Sequence, residues 1–326
     1  MIPPDLPAEL KSALDAKLHG LSRGAAADRA AAISSTYRTG GGSQAIRTED
    51  DALAYALARM PATYAAVGAC LNAIIDLRPD FAPTTLLDLG AGPGTASFAA
   101  AEAFNSLAGF TLLDANPALR ALALELSAGS SRLTAIDYRL GDGGKLLDGT
   151  PQADLVIASY VINELGDGER ARLAEQLWSK TRDTLLVVEP GTPAGYTRII
   201  DLRARVVALG GFVAAPCPHE APCPLIAPDW CHFTQRLPRS RAHMALKDAS
   251  VPFEDEKFAY VALTRAPPAQ RRARVLAQPV TTKVAVAAKL CMPSGLVVAA
   301  EIPRRDKPAY VHAKRWRWGD AVAPDA

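Results

Sequence analysis

Between Thr84 and Pro190 short apolar runs alternate with helical ones, and no other feature of the chain constrains its fold as tightly. "TLLDLG", "FTLLDA", "LTAIDYRL", "ADLVIASYV" and "TLLVVEP" read as buried strands. "TASFAAAEAF", "PALRALALELSA", with Pro117 at a helix start, and a pattern from about Asp167 to Lys180 read as helices. Parallel strands need crossover connections, and helices supply them. The alternation therefore predicts an α/β fold, a parallel sheet covered by helices on both faces. Residues before Thr84 are Ala-rich and helical, broken by the turn-like "RTGGGSQ" at Arg38 to Gln44. Pro61 then punctuates one helix before another resumes. After "RIIDLRARVVALG" the rhythm breaks. "EKFAYVALTR", "RARVLAQ", "TKVAVAAKLC" and "GLVVAAEI" follow as strands without long helices, as expected of antiparallel pairing at a sheet edge or a small β subdomain. The expected organisation is a helical region over 1–80, a Rossmann-like core over 81–212, and a cysteine-rich and β region with a basic tail over 213–326.

Composition narrows the setting. The 326 residues are 49% apolar, enough for a sizeable core, and the formal net charge is only +2. No run of about 18 apolar residues is evident, which predicts no membrane span. The N-terminus carries Asp5 and Glu9 and lacks an apolar stretch, so it reads as neither a secretory signal nor a transit peptide. Five cysteines do not form a disulfide framework in a chain of this length, and a reducing compartment, the cytoplasm, is expected. Two basic runs stand out. The tail interleaves Trp316 and Trp318 with Lys314, Arg315 and Arg317, and "QRLPRSRAHMALK" follows the cysteines. Such runs suit phosphate contacts and base stacking, or else form solvated surface over packed tryptophans.

"LLDLGAGPGT" sets Gly90, Ala91, Gly92, Pro93 and Gly94 between a strand and a helix. Glycines allow a tight turn and close approach of a ligand to the positive end of a helix dipole. Asp114 closes the next strand about 20 residues on, where a carboxylate can accept from ribose hydroxyls. Either a dinucleotide or S-adenosylmethionine fits this arrangement. Ser97 stands where a dinucleotide fingerprint wants its third glycine, and Asp88 can hold ordered water or a ligand ammonium. "DLGAGPG" resembles the first motif of class I S-adenosylmethionine-dependent methyltransferases. That resemblance implies that Asp88 and the Gly90–Gly94 loop approach the methionine portion, Asp114 the ribose, and Asp142 of "LGDGG" the adenine. On the acceptor side the chain has "SYVINEL" where amine methyltransferases carry an Asn/Asp-Pro-Pro-aromatic motif. Asn163, Glu164 and Glu189 remain as candidate acceptor-binding or catalytic groups, and no base is evident among them.

Cys217, Cys223 and Cys231 cluster among five prolines in "APCPHEAPCPLIAPDWCHF", and Cys291 of "AKLCMPSG" can add a fourth thiol. Four thiolates suit a tetrahedral zinc or an iron–sulfur cluster. The gaps are wider than the C-x₂₋₄-C pairs common in zinc sites, and His219 and His232 can compete as ligands. Cys70, alone on an apolar helix face, reads as core.

"SSTYRTGG", "AYALARMPATYAA", "LLDLGAGPGTASFAA", "DLVIASYVINEL", "VVEPGTPAGY", "APCPHEAPCPL", "WCHFTQRLPRS" and "FEDEKFAYVALTR" occur in that order. Together they resemble the ribosomal small-subunit methyltransferase-like family, whose mitochondrial members associate with the mitoribosomal small subunit. The resemblance runs over nearly the whole chain and implies a bacterial counterpart. It implies a [4Fe–4S] cluster on Cys217, Cys223, Cys231 and Cys291, with zinc the alternative from the residues alone. It also implies S-adenosylmethionine as cofactor, and the small ribosomal subunit and its rRNA as partners of a chain monomeric off the ribosome. The activity implied is methylation of small-subunit rRNA, or else non-catalytic assembly of that subunit.

Overall fold

In the computed structural model, the described residues are 1–18, 23–38, 42–240, 243–244, 247 and 249–323. Thr39 to Gly41, within the turn read from the sequence, and part of the second basic run lie outside them. The N-terminal third is helical: α1 (Ala8–Leu18), α2 (Arg23–Arg38) and α3 (Glu49–Leu77). Thr48 and Asp51 form a capping box that starts α3, and three acidic residues in its first turn complement the dipole. This helix differs from the sequence reading in running straight through Pro61. Proline removes one backbone hydrogen bond, a cost of about 3 kcal/mol in an isolated helix. Burial of Met60, Ala62, Tyr64 and thirteen further residues of α3 offsets it. By length and hydropathy alone α3 would suffice to cross a membrane. Here it is the central core helix, with Cys70 fully buried in it as expected.

The sheet follows: β1 (Thr85–Leu89), α4 (Thr95–Ala103), β2 (Gly109–Asp114), α5 (Pro117–Ala128), β3 (Ile136–Leu140), α6 (Gly143–Asp148), β4 (Ala153–Ser159), α7 (Asp167–Lys180), β5 (Thr181–Pro190) and α8 (Pro193–Ala208). β6 (Phe212–Ala215), β7 (Phe233–Pro238) and β8 (Phe253–Thr264) complete it. The order is β3-β2-β1-β4-β5-β8-β6, parallel from β3 through β5, with β8 antiparallel to β5, β6 and β7. This is the strand order of the class I methyltransferase fold, with one reversed strand near the edge. Successive side chains on a strand point to opposite faces. Leu86, Leu112, Leu155, Ile157, Leu186 and Val188 accordingly join the core under α1–α5. Leu87, Leu113, Val156, Ala158, Leu185 and Val187 pack on the α7–α8 side.

The sheet does not stop at residue 212. β6, β7 and β8 belong to it, because the apolar run in β8 pairs with β5 over seven residues. β6 and β7 share one edge of β8, end to end, so the loop between them is thrown off that edge. A second sheet contains β9 (Ala273–Val275), β10 (Val280–Thr281), β11 (Ala285–Cys291), β12 (Val297–Pro303) and β13 (Ala321–Val322), with α9 (Lys307–Ala313) against it. The cysteine loop thus emerges where the two sheets meet. Both alternatives read for the C-terminal strands, a sheet edge and a small β unit, are present.

Candidate functional site

The glycine loop is built by backbone conformation. Gly90, Gly92 and Gly94 have φ of 67°, 53° and 82°, a region that side chains disfavour. Gly90 and Ala91 donate to the Leu113 carbonyl at 2.8 and 3.2 Å, and Gly94 is the N-cap of α4. Asp88 is fully buried on β1. Its Oδ2 accepts from the Ser97 hydroxyl at 2.7 Å, and its Oδ1 has no partner. Burial pushes Asp88 up to about 7 against the Ser97 hydrogen bond, and the charge of Asp114 adds to the rise. Asp114 accepts from the amides of Gly92 at 2.9 Å and Asn116 at 2.7 Å, which fixes its carboxylate beside the loop. Its remaining lone pairs can accept further donors. Asp142 caps α6 through the amide of Lys145 at 3.0 Å. Asp88, the Gly90–Gly94 loop and Asp114 are thereby brought together, while Asp142 is partly committed to its helix.

Two contributors carry no signal in the sequence. The Tyr138 hydroxyl donates to the Gly92 carbonyl at 2.8 Å and holds the loop from beneath. The Asn116 amide donates to the carbonyls of Ser43 and Ile46, both at 2.9 Å, tying a segment that precedes α3 to the end of β2. Only folding places residue 43 there.

The segment after β4 closes the other side. Tyr160 has φ of 57°, a strained position for a side chain of its size, and its hydroxyl donates to Glu256 at 3.1 Å. Asn163 has a buried Oδ1 without a partner, and Glu164 is exposed. Glu189 is fully buried and accepts from Arg198 Nε at 2.7 Å. Burial raises it to about 7 against the pull of Arg198. This pair ties α8 to β5 through Oε2, while Glu189 Oε1 is buried without a partner.

The second candidate site is the cysteine cavity. Cys217, Cys223 and Cys231 from the loop and Cys291 from the end of β11 line one cavity. Cys291 is pushed up to about 12 by burial, with the other thiols adding, and burial also raises Cys217 and Cys231. The Tyr196 hydroxyl donates to Cys223 Sγ at 3.1 Å. His219 Nδ1 lies 3.1 Å from the Ala221 carbonyl. A carbonyl only accepts, so Nδ1 carries the proton and Nε2, 3.4 Å from Cys291 Sγ, is the acceptor. His232 instead stacks on Trp230 at 5.0 Å and meets Trp318 edge-on at 4.8 Å. Among the described residues no three His, Cys, Asp or Glu side chains are grouped to hold a metal ion.

Of the two alternatives read for the basic tail, the structure has exposed cations over packed tryptophans. Trp316 packs against both small clusters of the second sheet, and Trp318 Nε1 donates to the His232 carbonyl at 2.9 Å. Lys314, Arg315 and Arg317 remain exposed. In the second run Arg236 pairs with Asp255, and Arg239 and Lys247 with Glu254.

The family described as mitochondrial small ribosomal subunit Rsm22 matches residues 49–323. The chain belongs to the Rsm22 family. That span takes in both candidate sites. A curated human protein named "Ribosome assembly protein METTL17, mitochondrial" is 32% identical over 304 residues, covering 84% of this chain. The chain spans 63% of that relative's length. Among solved structures, magnesium protoporphyrin IX methyltransferase from Synechocystis aligns with TM-score 0.42 and 12% identity, over 63% of this chain and 84% of that one. Human N-acetylserotonin methyltransferase aligns at 0.36 and 21%, over 51% and 49%. These likenesses are distant, and the fold assignment of this Rsm22 member rests on its own strand order.

Proposed function

We propose that this chain is a cytoplasmic assembly protein of the small ribosomal subunit that contacts its rRNA. In this reading S-adenosylmethionine occupies the glycine-loop cleft and an iron–sulfur cluster the four cysteines. The observation that carries the reading is the family match over residues 49–323. The human relative's printed name, a ribosome assembly protein, supports it. The exposed cations Lys314, Arg315 and Arg317 offer phosphate contacts, and Trp318 beside them is bonded to His232 of the cysteine loop.

The residues present fit both groups. Asp88 Oδ1 is an orphaned buried acceptor beside the loop, suited to an ammonium or an ordered water, and Asp114 is held where ribose hydroxyls would reach it. Bound S-adenosylmethionine supplies an electrophilic methyl group. At the cysteines, four thiols face one cavity with a tyrosine hydroxyl on one sulfur, a donor set suited to thiolate ligands. A tetrahedral zinc with bonds of about 2.3 Å needs its sulfurs within about 3.8 Å of one another. Four thiols lining one cavity are a donor set for that zinc or for an iron–sulfur core alike.

Methyl transfer to small-subunit rRNA is the second reading. The complete Asp88–glycine–Asp114 constellation and the free Asn163 Oδ1, able to accept from a target amine, favour it. Catalysis would then rest on positioning and desolvation, because Glu189 is bound to Arg198. One experiment tests both. Cells lacking the protein are expected to accumulate small-subunit precursors, and normal subunit profiles would overturn the assembly reading. Those precursors, incubated with anaerobically purified protein and labelled S-adenosylmethionine, take up label in rRNA only if methyl transfer occurs. Loss of that label with Asp88→Asn would assign it to this cleft.

A further inference from the structure

Two arginines are buried beside the four thiols. Arg203 of α8 is 2% exposed and Arg274 of β9 is 4% exposed, and both line the cysteine cavity. Arg203 Nη2 donates to the carbonyls of His219 at 2.7 Å and Ala221 at 2.9 Å, while its Nε has no partner. Arg274 Nε donates to the Pro216 carbonyl at 3.0 Å and Nη1 to the Gly319 carbonyl at 2.6 Å. Carbonyls orient a guanidinium without carrying an opposing charge. Among the described residues, neither arginine forms an ion pair, and the two acids of this loop are held elsewhere, Glu220 by Arg271 at 2.5 Å and Asp229 by Lys289.

An arginine stays charged at any pH a protein experiences, so burial cannot be relieved by losing the proton. Two buried cations therefore require anionic charge nearby, or the fold bears a large desolvation penalty. The groups they share the cavity with are Cys217, Cys223, Cys231 and Cys291. The charge of Arg203 bears on Cys217 and Cys291, and that of Arg274 on Cys217, Cys231 and Cys291. Neutral thiols would leave the cations unbalanced. Four thiolates around a resting four-iron, four-sulfide core, itself doubly positive, make a group with two negative charges, which two arginines neutralise.

We propose that Arg203 and Arg274 are the paired counter-cations of a doubly negative, thiolate-ligated metal group at the four cysteines. This rests on the cluster reading above and adds to it a charge that the site is built to accept. Neither arginine is a ligand. Each is a positioning residue that acts on the sulfurs through charge, and each also clamps a carbonyl, Arg274 linking the loop to the tail at Gly319.

Glutamine keeps an amide donor without the charge, and lysine keeps the charge without the planar fork, so the two substitutions separate the roles. Full-length wild type, Arg203→Gln, Arg274→Gln, Arg203→Lys and Arg274→Lys are purified anaerobically and reconstituted with ferrous iron and sulfide. Iron and sulfide per chain, the lifetime of the bound group against a chelator, and its potential in a dithionite titration are read. The glutamine variants are expected to lose the group at least tenfold faster and to reduce at more negative potential, since a lost cation makes an added electron costlier. The lysine variants are expected to keep the wild-type potential. Glutamine variants with wild-type lifetime and potential would overturn the counter-ion role while leaving the cluster reading intact. Wild type that takes up no iron and sulfide would instead remove the reading on which the proposal rests, and the proposal with it. Should the glutamine variants fail to fold, the lysine variants decide. Lysine at wild-type lifetime supports charge, and lysine that loses the group at least tenfold faster shows a carbonyl clamp only.

Discussion

The glycine-loop site draws its main groups from one stretch, Asp88 to Asp114, across a single strand–helix–strand unit. The cysteine cavity collects three thiols from one loop, a fourth from β11, and cations from α8 and β9. In the first, backbone geometry makes the site: three positive-φ glycines, a helix start and a carboxylate fixed by two amides. In the second, remote segments hold the loop, with Arg203 of α8, Arg274 of β9 and Trp318 of the tail all bonded to its carbonyls. A ligand at the first adds to an existing frame. A metal group at the second would cross-link segments that lie far apart in the chain, where closing long loops contributes most to stability.

The contrast can be broken most strongly at Asp88. Its folded pKa of about 7 lies above the ordinary value of about 3.9, so the native state binds more protons between those limits. Stability contributed by the neutral acid is full below about pH 4, falls as pH rises, and levels off above about 7. At ~1.4 kcal/mol per unit the span is at most about 4 kcal/mol. Urea unfolding of wild type and Asp88→Asn across pH 4 to 8 should show the steeper fall in the wild type, since Glu189, also raised to about 7, contributes to both; equal slopes would refute the shift. In the proposed function, ligand binding would also strengthen as Asp88 ionises.

Next in size is Gly90→Ala. A Cβ there would lie 2.6 Å from Val161 Cγ2 at a φ of 67°, so steric overlap adds to backbone strain. A loss of about 3 kcal/mol is expected. Gly92→Ala has the strain without the clash, its nearest atom being Leu119 Cδ1 at 3.8 Å, and should lose only about 1–2 kcal/mol. Equal losses from the two would show that packing against Val161 is not what makes Gly90 necessary.

The smallest effect is expected at Cys291→Ser in metal-free protein, about 1 kcal/mol, because a hydroxyl can keep the thiol's polar contact to His219 Nε2. Iron uptake should fail in the same variant while S-adenosylmethionine binding by calorimetry changes less than twofold, since distant sites act independently. A lost ligand affinity would show that the two sites are one cooperative unit.

Much of the first region was legible. Strand alternation gave the parallel sheet, and the glycine spacing with Asp88 and Asp114 gave the loop and its carboxylates. Tyr138 and the Ser43–Ile46 segment were not legible, because their contacts are tertiary and follow no local period. Pro61 misled, since its local cost is overridden by burial along α3. For the cysteines the clustering was visible, but Arg203 and Arg274 looked like ordinary charges on a helix and a strand. Glu189 looked available until Arg198 was found against it.

The sequence by itself determined where strands, helices and the glycine turn form, because these depend on periodicity, φ preferences and capping within a few residues. Tertiary structure alone decided which distant groups share a dry cavity. Placing four thiols and two guanidinium cations together depends on how two sheets abut, and burial turns surface-type side chains into charges that must be balanced.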